Sequence, residues 1–238
     1  MSIVLEREEE HIVGGGKIRS AILGLNDGLI STFTLLVGVA AASFAGGGGT
    51  SIIILTGIAA MVSGSISMGL GEYVSSKSEY NYIRNEIKKE KAEIELFPDE
   101  EKLEVRNYFE KMGLEGNTLD SCVDSITSNK QRWLNFLLKS ELGLEEPESP
   151  LLGAFLTFIS FIIGSLIPQI PYFLNLGIIS LTFSIIISFS SLFLVGTLKT
   201  KITGERKIKG AFEMLIIGII AFSVSYLIGL TLEQLISP

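Results

Sequence analysis

The side chains best suited to chemistry in this sequence are acidic, and the first of them is Asp27. It follows Asn26 inside an apolar stretch, residues 21–42, that is long enough to cross a bilayer. A carboxylate at membrane depth costs at least a few kcal/mol, so it normally faces a protein interior or a wet path and marks function. The alternative is that the helix begins late and Asp27 lies at the headgroup boundary, because Arg19 precedes it by only about two turns.

A second acidic set lies in a charged segment further along the chain. Glu90 and Glu93 are three residues apart on one predicted helix, and Glu101 and Glu104 repeat that spacing on the next. Such a pair projects from one helix face, and the proline-containing turn between the helices would let the two faces meet. A fifth carboxylate, Glu141, comes near the end of the last helix. Carboxylate clusters suit Mn2+, Fe2+ or Ca2+, whereas the interspersed lysines favour the alternative of a solvated charged face.

A thioether and a carboxylate share a face in the second apolar stretch, residues 51–74. Met68 and Glu72 are one helical turn apart there. The surrounding residues are dense in glycine, alanine and serine, which allow helix backbones to approach closely in lipid. This pattern indicates a tightly packed membrane helix.

The sequence lacks the residue sets that common enzyme sites require. It has one histidine, His11, and one cysteine, Cys122, which argues against a ferritin-like di-iron site and against a zinc hydrolase. It contains no P-loop, and the glycine run at 46–49 lacks the lysine of a phosphate cradle. We therefore expect no enzymatic activity, no prosthetic group and no nucleic-acid partner.

The elements that must hold these residues follow from the distribution of apolar residues. The chain has 238 residues, 47% of them hydrophobic, and its mean hydropathy of +0.47 is too high for an ordinary soluble domain. The apolar residues form five runs, at 21–42, 51–74, 151–167, 174–198 and 211–236. We predict an all-α polytopic membrane protein with five transmembrane helices.

The charged segment is predicted to be a water-exposed helical insert between the second and third transmembrane helices. Residues 77–148 hold 17 acidic and 11 basic residues, so most of the net charge of -7 lies there. The chain thus divides into residues 1–75, an insert at 76–148, and residues 149–238. Within the insert, a helix over 78–96 precedes one opened by Pro98 and stopped at Gly113.

Two shorter helices are predicted to complete the insert. The third would begin at Thr118 or Asp120, and the fourth would begin at Ser128 or Asn129 and end near residue 143. Each of these starting residues has a side-chain oxygen that can cap a helix N-terminus.

The positive residues favour one orientation in the membrane. Lys17 and Arg19 precede the first span, and the connection at 199–209 is strongly basic. The connection at 46–49 and the proline turn at 168–171 carry no charge. The positive-inside rule then places the N-terminus, the insert and the basic connection in the cytoplasm.

Three segments resemble the vacuolar iron transporter family, which includes a yeast vacuolar calcium-cross-complementing transporter and plant nodulin-21-like proteins. They are GLNDGL at 24–29, SGSISMGLGEYVSSKS at 63–78 and SELGLEEP at 140–147. The resemblance implies a homodimeric exporter of Fe2+, and of Mn2+ in some members, that works in exchange for protons. It also implies a vacuolar membrane in a eukaryote or a plasma membrane in a prokaryote.

The resemblance also implies roles for residues. It assigns metal binding in the insert to five glutamates: Glu90, Glu93, Glu101, Glu104 and Glu141. It assigns the membrane path to Asp27 and Met68, near the dimer interface. We add Glu72 because it lies one helical turn from Met68 on the same face.

One departure from the family concerns the last helix of the insert. Two adjacent methionines of the family correspond here to Leu137 and Leu138. If these positions line the metal site, the loss of two soft sulfur donors removes any preference for softer ions. The alternative is that both leucines face the core of the insert.

A function of another class is also compatible with the sequence. A membrane protein that transports nothing could use its acidic insert to bind metal or to recruit a basic partner. Metal-dependent flux into vesicles distinguishes this scaffold from a transporter.

Overall fold

The computed structural model describes residues 15–140, 143, 149–203 and 207–236, which form eight helices and no strand. The helices are α1 Gly15–Ala45, α2 Thr50–Leu96, α3 Pro98–Lys111, α4 Gly116–Thr127, α5 Lys130–Ser140, α6 Pro150–Phe173, α7 Ile178–Thr203 and α8 Lys207–Ile236. The predicted all-α class is confirmed.

Five of the eight helices, α1, α2, α6, α7 and α8, are long and apolar enough to cross a bilayer. Their most apolar windows have mean hydropathies between 1.8 and 2.3. The prediction of five transmembrane helices is confirmed, and the chain is an integral membrane protein.

The second span and the first insert helix were predicted as separate helices, and this was wrong. Helix α2 continues from Thr50 to Leu96. The sequence between the two predicted helices contains neither glycine nor proline to stop it. Its serines are accommodated within the helix, since the Ser78 hydroxyl donates to the Val74 carbonyl oxygen at 2.8 Å.

The two prolines predicted to end the third span lie inside α6, which continues to Phe173. Each proline lacks the amide hydrogen that would bond to the carbonyl four residues earlier, and membrane helices tolerate this loss where neighbouring helices pack around the segment. Near these prolines the Ser184 hydroxyl of α7 donates to the Pro168 carbonyl at 2.7 Å, and the Gln169 amide donates to the Ser165 carbonyl at 2.9 Å.

The turn between α6 and α7 lies later in the chain than predicted. Asn175 and Gly177 have φ angles of 52° and 59°, in the left-handed region that ends helices. Helix α7 therefore begins at Ile178 and not at residue 174.

The described residues of 1–73 and 151–238 form one compact unit, called the membrane unit below. Its core is built around α1, whose Leu29, Phe33 and Leu36 are fully buried. The Phe33 ring stacks on Phe222 of α8 at 6.1 Å and meets the edge of Phe189 of α7 at 5.6 Å. Helix α1 is thus the element against which the other spans pack.

Helices α1 and α6 approach at backbone distance through glycines. A Cβ added to Gly28 would collide with the Phe161 backbone, and one added to Gly164 would collide with the backbone of Leu25. Such contacts are possible only without side chains, as expected for helices that associate through small residues in lipid.

Residues 74–150 form a second compact unit, the insert unit. It combines the last part of α2 with α3, α4 and α5 around a core of Ile94, Val105, Leu119, Val123, Trp133, Leu134 and Leu137. The predicted helix signals at Pro98 and Gly113 are confirmed: Pro98 lies in the first turn of α3, and Gly113 has a φ of 88°.

Of the two later helix starts, one was predicted correctly. Asn129 caps α5, because its side-chain oxygen accepts from the backbone amides of Gln131 and Arg132 at 3.0 Å each. Helix α4 begins at Gly116, two residues before the earlier predicted start. Its first residue has no capping partner from the preceding Glu115 side chain.

Candidate functional site

Two of the predicted path residues, Asp27 of α1 and Met68 of α2, line one cavity in the membrane unit. We call it the Asp27 cavity; its volume is about 360 Å³. Its other lining residues are Ser31, Leu35, Ala60, Ser63, Gly64, Ser67 and Phe161. The two donors come from helices that are adjacent in sequence and joined by a short turn.

The cavity follows directly from helical periodicity. Asp27, Ser31 and Leu35 recur every four residues on α1 and therefore lie on one face. Opposite them, the small residues of α2 leave open space. A Cβ at Gly64 would collide with the Phe161 ring, so this glycine lets the α6 phenyl group reach the cavity wall.

Sequence reasoning missed Ser31, Leu35 and Phe161. The first two carried a usable signal, because they follow Asp27 at spacings of four and eight residues. Phe161 carried none, since its place depends on how α6 packs against the other helices.

Asp27 is not at the start of its helix. Helix α1 begins at Gly15, about three turns earlier, so the helix does not begin late, and the depth of Asp27 in the bilayer stays a prediction. The carboxylate is exposed at the surface of the single chain. The Ser31 hydroxyl donates to the Asp27 backbone carbonyl at 2.6 Å. Among the described residues that line the cavity, the Asp27 carboxylate is the one group with a formal charge.

The donor chemistry of the cavity is mixed. Carboxylate oxygen is a hard ligand, thioether sulfur is a soft one, and ions such as Fe2+ accept both kinds. Asp27 and Met68 together offer one donor of each kind, with the serine hydroxyls as further neutral oxygens.

Glu72, the third predicted path residue, is not among the residues that line this cavity. It lies one turn beyond Met68 on α2, where its carboxylate accepts a hydrogen bond from the Ser20 hydroxyl at 2.9 Å. Gly153 of α6 lies beside it, because a Cβ there would be 3.2 Å from the Glu72 carboxylate. The three residues thus lie toward the N-terminal end of α1.

In the insert unit, two of the five predicted metal-binding glutamates are buried. Glu90 of α2 is 5% exposed and Glu101 of α3 is 6% exposed, whereas Glu93 is half-buried and Glu104 is exposed. Carboxylates are almost never buried without partners. A solvated charged face therefore does not describe Glu90 and Glu101.

The four described glutamates come together around Glu101. Burial raises the pKa of Glu101 to about 7, with further contributions from the charge of Glu104, from the charge and a hydrogen bond of Glu90, and from the charge of Glu93. A carboxyl group among like charges holds its proton more tightly. The predicted meeting of the two helix faces is therefore present.

One of the interspersed lysines is directed toward another helix. The Lys102 ammonium, next to Glu101 in sequence, donates to the Asp124 carboxylate of α4 at 2.7 Å. Arg106 likewise pairs with Asp120 of α4 at 2.8 Å. These pairs bind α3 to α4 and keep two cations occupied away from the glutamates.

Comparison with known proteins identifies the chain. The VIT family model matches residues 18–230. The chain belongs to the VIT family.

Its relatives include proteins from plants, a parasite and yeast. It is 35% identical to vacuolar iron transporter 1 of Arabidopsis thaliana over 92% of this chain and 87% of that protein. It is 31% identical to the vacuolar iron transporter of Plasmodium falciparum, over 96% and 87%. It is also 31% identical to protein CCC1 of Saccharomyces cerevisiae, over 88% and 67%. The resemblance inferred from the three sequence segments is confirmed.

In this VIT family member the acidic cluster is not a closed coordination shell. Within the ranges that the structure describes, no three His, Cys, Asp or Glu side chains are arranged to hold a metal ion. Glu141, the fifth predicted ligand, and His11 lie outside those ranges. Metal binding by these glutamates therefore stays a prediction.

The two leucines at positions where the resemblance implies methionines, Leu137 and Leu138, belong to the core of the insert unit. Leu137 is 1% exposed, and Leu138 packs against the same cluster. Of the two alternatives for these positions, the structure favours the core.

Proposed function

We propose that this VIT family chain exports Fe2+, and also Mn2+, from the cytosol in exchange for protons. The observation that carries the proposal is that Asp27 and Met68 line one cavity within a five-helix membrane unit. The names of the relatives support the choice of iron as cargo.

The exchange depends on the Asp27 carboxylate, which binds either a cation or a proton. Because a ligand must lose its proton to bind metal, cation and proton compete for the same oxygens. Met68 adds a sulfur donor that favours Fe2+ over hard ions such as Mg2+. Glu72 lies one turn beyond Met68 on α2, and it receives the cation as the cation enters from the side of the N-terminal end of α1.

The insert unit concentrates the cargo on the cytosolic side. Glu90, Glu101, Glu93 and Glu104 supply oxygen donors that already lie close together, and we assign Glu141 as the donor that completes the site. The repulsion among these carboxylates is relieved when a divalent cation binds, so the cluster favours cations over an empty state at neutral pH.

A homodimer accounts for the exposed position of Asp27. A carboxylate facing lipid is costly, and a second copy packed on the same α1 face would cover it. We place the N-terminus in the cytoplasm, in the vacuolar membrane of a eukaryote or the plasma membrane of a prokaryote.

Purified protein in vesicles loaded with an iron-quenched dye tests the proposal. We expect Fe2+ added outside to quench the dye much faster than in protein-free vesicles, and Mn2+ to compete. A protein that binds Fe2+ but gives no flux above the protein-free rate is the scaffold, and the transport proposal then fails.

A further inference from the structure

A second and larger cavity lies at the other end of α1 in the membrane unit. Its volume is about 630 Å³, and we call it the Glu233 cavity. Its walls come from α1, α8, the turn at 46–49 and the start of α2. This end carries the glycine turn that the positive-inside rule places outside.

The two cavities meet at one residue. Leu35 lines both the Asp27 cavity and the Glu233 cavity. It lies about 12 Å along α1 from Asp27, and Gly46 lies about 16 Å further on, at a rise of 1.5 Å per residue. The cavities therefore follow one another along α1 and share the Leu35 side chain as a common wall.

The Glu233 cavity has a single charged group among the described residues that line it. Glu233, near the end of α8, is half-buried, and its carboxylate lies against the end of α1, since a Cβ at Gly46 would be 3.3 Å from Oε1. The other polar donors at this cavity are the hydroxyl groups of Thr34, Ser43 and Ser225. A single ionisable residue among mostly apolar walls at the end of a membrane helix is a candidate for a functional role.

We propose that Leu35 and Glu233 extend the path beyond the Asp27 cavity: Leu35 is the apolar constriction, and Glu233 is the carboxylate that receives the divalent cation on the far side. The inference rests on the proposed transport function and adds an exit site to it. The described residues that line the Glu233 cavity offer oxygen donors and no sulfur, so it holds Fe2+ less tightly than a mixed oxygen and sulfur site does. Weaker binding at the exit favours release.

The first test changes the charge at the exit. In vesicles, Glu233→Gln should lower the maximal Mn2+ transport rate roughly tenfold or more, as losses at metal sites typically do. The half-saturating Mn2+ concentration should stay close to that of the unmodified protein, because loading at Asp27 and Met68 is unchanged.

Glu213→Gln is the matched control. Glu213 lies on the same helix but pairs with Lys199 at 3.7 Å and lines neither cavity. A normal maximal rate for Glu233→Gln, or an equal loss in both variants per folded protein, overturns the exit site.

The second test changes the constriction. Leu35→Ala should increase passive leak of Mn2+ and protons, whereas Leu23→Ala should not. Both leucines are on α1 with similar exposure, 38% and 45%, but Leu23 lines neither cavity. Equal leak in the two variants contradicts a constriction at Leu35.

A third measurement keeps the proposal testable if Glu233→Gln does not fold. In a Cys122→Ser background, Ser225→Cys places a thiol in the Glu233 cavity, and Ser223→Cys places one on an exposed part of α8 outside it. A membrane-impermeant cationic thiol reagent should block Mn2+ flux only through Ser225→Cys, and Mn2+ should slow that reaction. No block through Ser225→Cys overturns the inference, whereas absence of flux in the unmodified protein overturns the transport proposal itself.

Discussion

Asp27 carries the formal charge of the cavity that it shares with Met68, so its neutralisation is the sharpest single-residue change. We expect Asp27→Asn to reduce Fe2+ flux by about tenfold or more, because the amide can neither exchange a proton nor neutralise a cation. Fe2+ binding by the insert unit should persist in the same preparation. Ser223→Ala, an uncharged change on α8 outside both cavities, should transport nearly normally; normal flux from Asp27→Asn would show that the path lies elsewhere.

Glu101 predicts a pH dependence of the metal-free insert unit. Its pKa rises from 4.5 to about 7 on folding, so the folded unit binds this proton more tightly than the unfolded chain does. Stability should therefore fall as pH rises from about 4.5 to about 7 and then level off. Trp133 is the only tryptophan of the chain and lies in the insert core, so its fluorescence reports unfolding of this unit in the presence of a chelator.

The matched variant for this pH dependence is Glu101→Gln, which cannot ionise. It should flatten the decline between these pH values, while Glu115→Gln, at the start of α4, should leave the decline unchanged. An identical pH profile for Glu101→Gln and the unmodified protein would contradict the assigned pKa.

Among helices, the close approach of α1 and α6 gives a stability prediction. A Cβ at Gly164 would collide with the carbonyl of Leu25 and lie 2.9 Å from the amide nitrogen of Leu29. Backbone atoms cannot yield as a flexible side chain does, so Gly164→Ala should destabilise the membrane unit by about 1–3 kcal/mol. Thermal unfolding in detergent measures this.

Gly71 is the control for that substitution. A Cβ there would meet nothing within 4 Å, and alanine favours the helix by about 1 kcal/mol. Gly71→Ala should therefore be neutral or stabilising. Equal destabilisation by both substitutions would mean that the α1–α6 contact is not tight.

The helices show how much of the fold the pattern of apolar residues predicts. Runs of about 20 apolar residues require membrane-spanning helices, because no water satisfies the backbone there, and all five were predicted. Their ends were less predictable. Pro168 and Pro171 were predicted to end the helix, yet α6 continues through both, and beside them the Ser184 hydroxyl of the next helix, α7, donates to the Pro168 carbonyl.

The candidate site was likewise predicted only in part. Spacing of three or four residues placed Glu90 with Glu93 and Met68 with Glu72, since that periodicity is local. Spacing did not reveal that Glu101 would be buried, that Phe161 would form a cavity wall, or that Glu72 would contact Ser20 instead of lining the Asp27 cavity. Each of these depends on packing between helices.

The whole molecule has one predicted orientation, which thiol labelling can check. In a Cys122→Ser background, Gly47→Cys should react with an impermeant thiol reagent applied to intact cells. Lys209→Cys should react only after the membrane is opened. Both positions are exposed in the structure, so accessibility in the folded protein does not bias the comparison; the reverse labelling pattern would invert the proposed direction of export.

The most direct test of proton-coupled transport follows Fe2+ and protons in the same vesicles. With Fe2+ added outside vesicles that contain an iron-quenched dye and a pH dye, we expect Fe2+ entry and a simultaneous rise in internal pH, because each entering cation is exchanged for protons that leave. Asp27→Asn should lose both signals. Fe2+ entry without any pH change would contradict proton exchange, and equal signals from the Asp27→Asn variant would contradict the path through the Asp27 cavity.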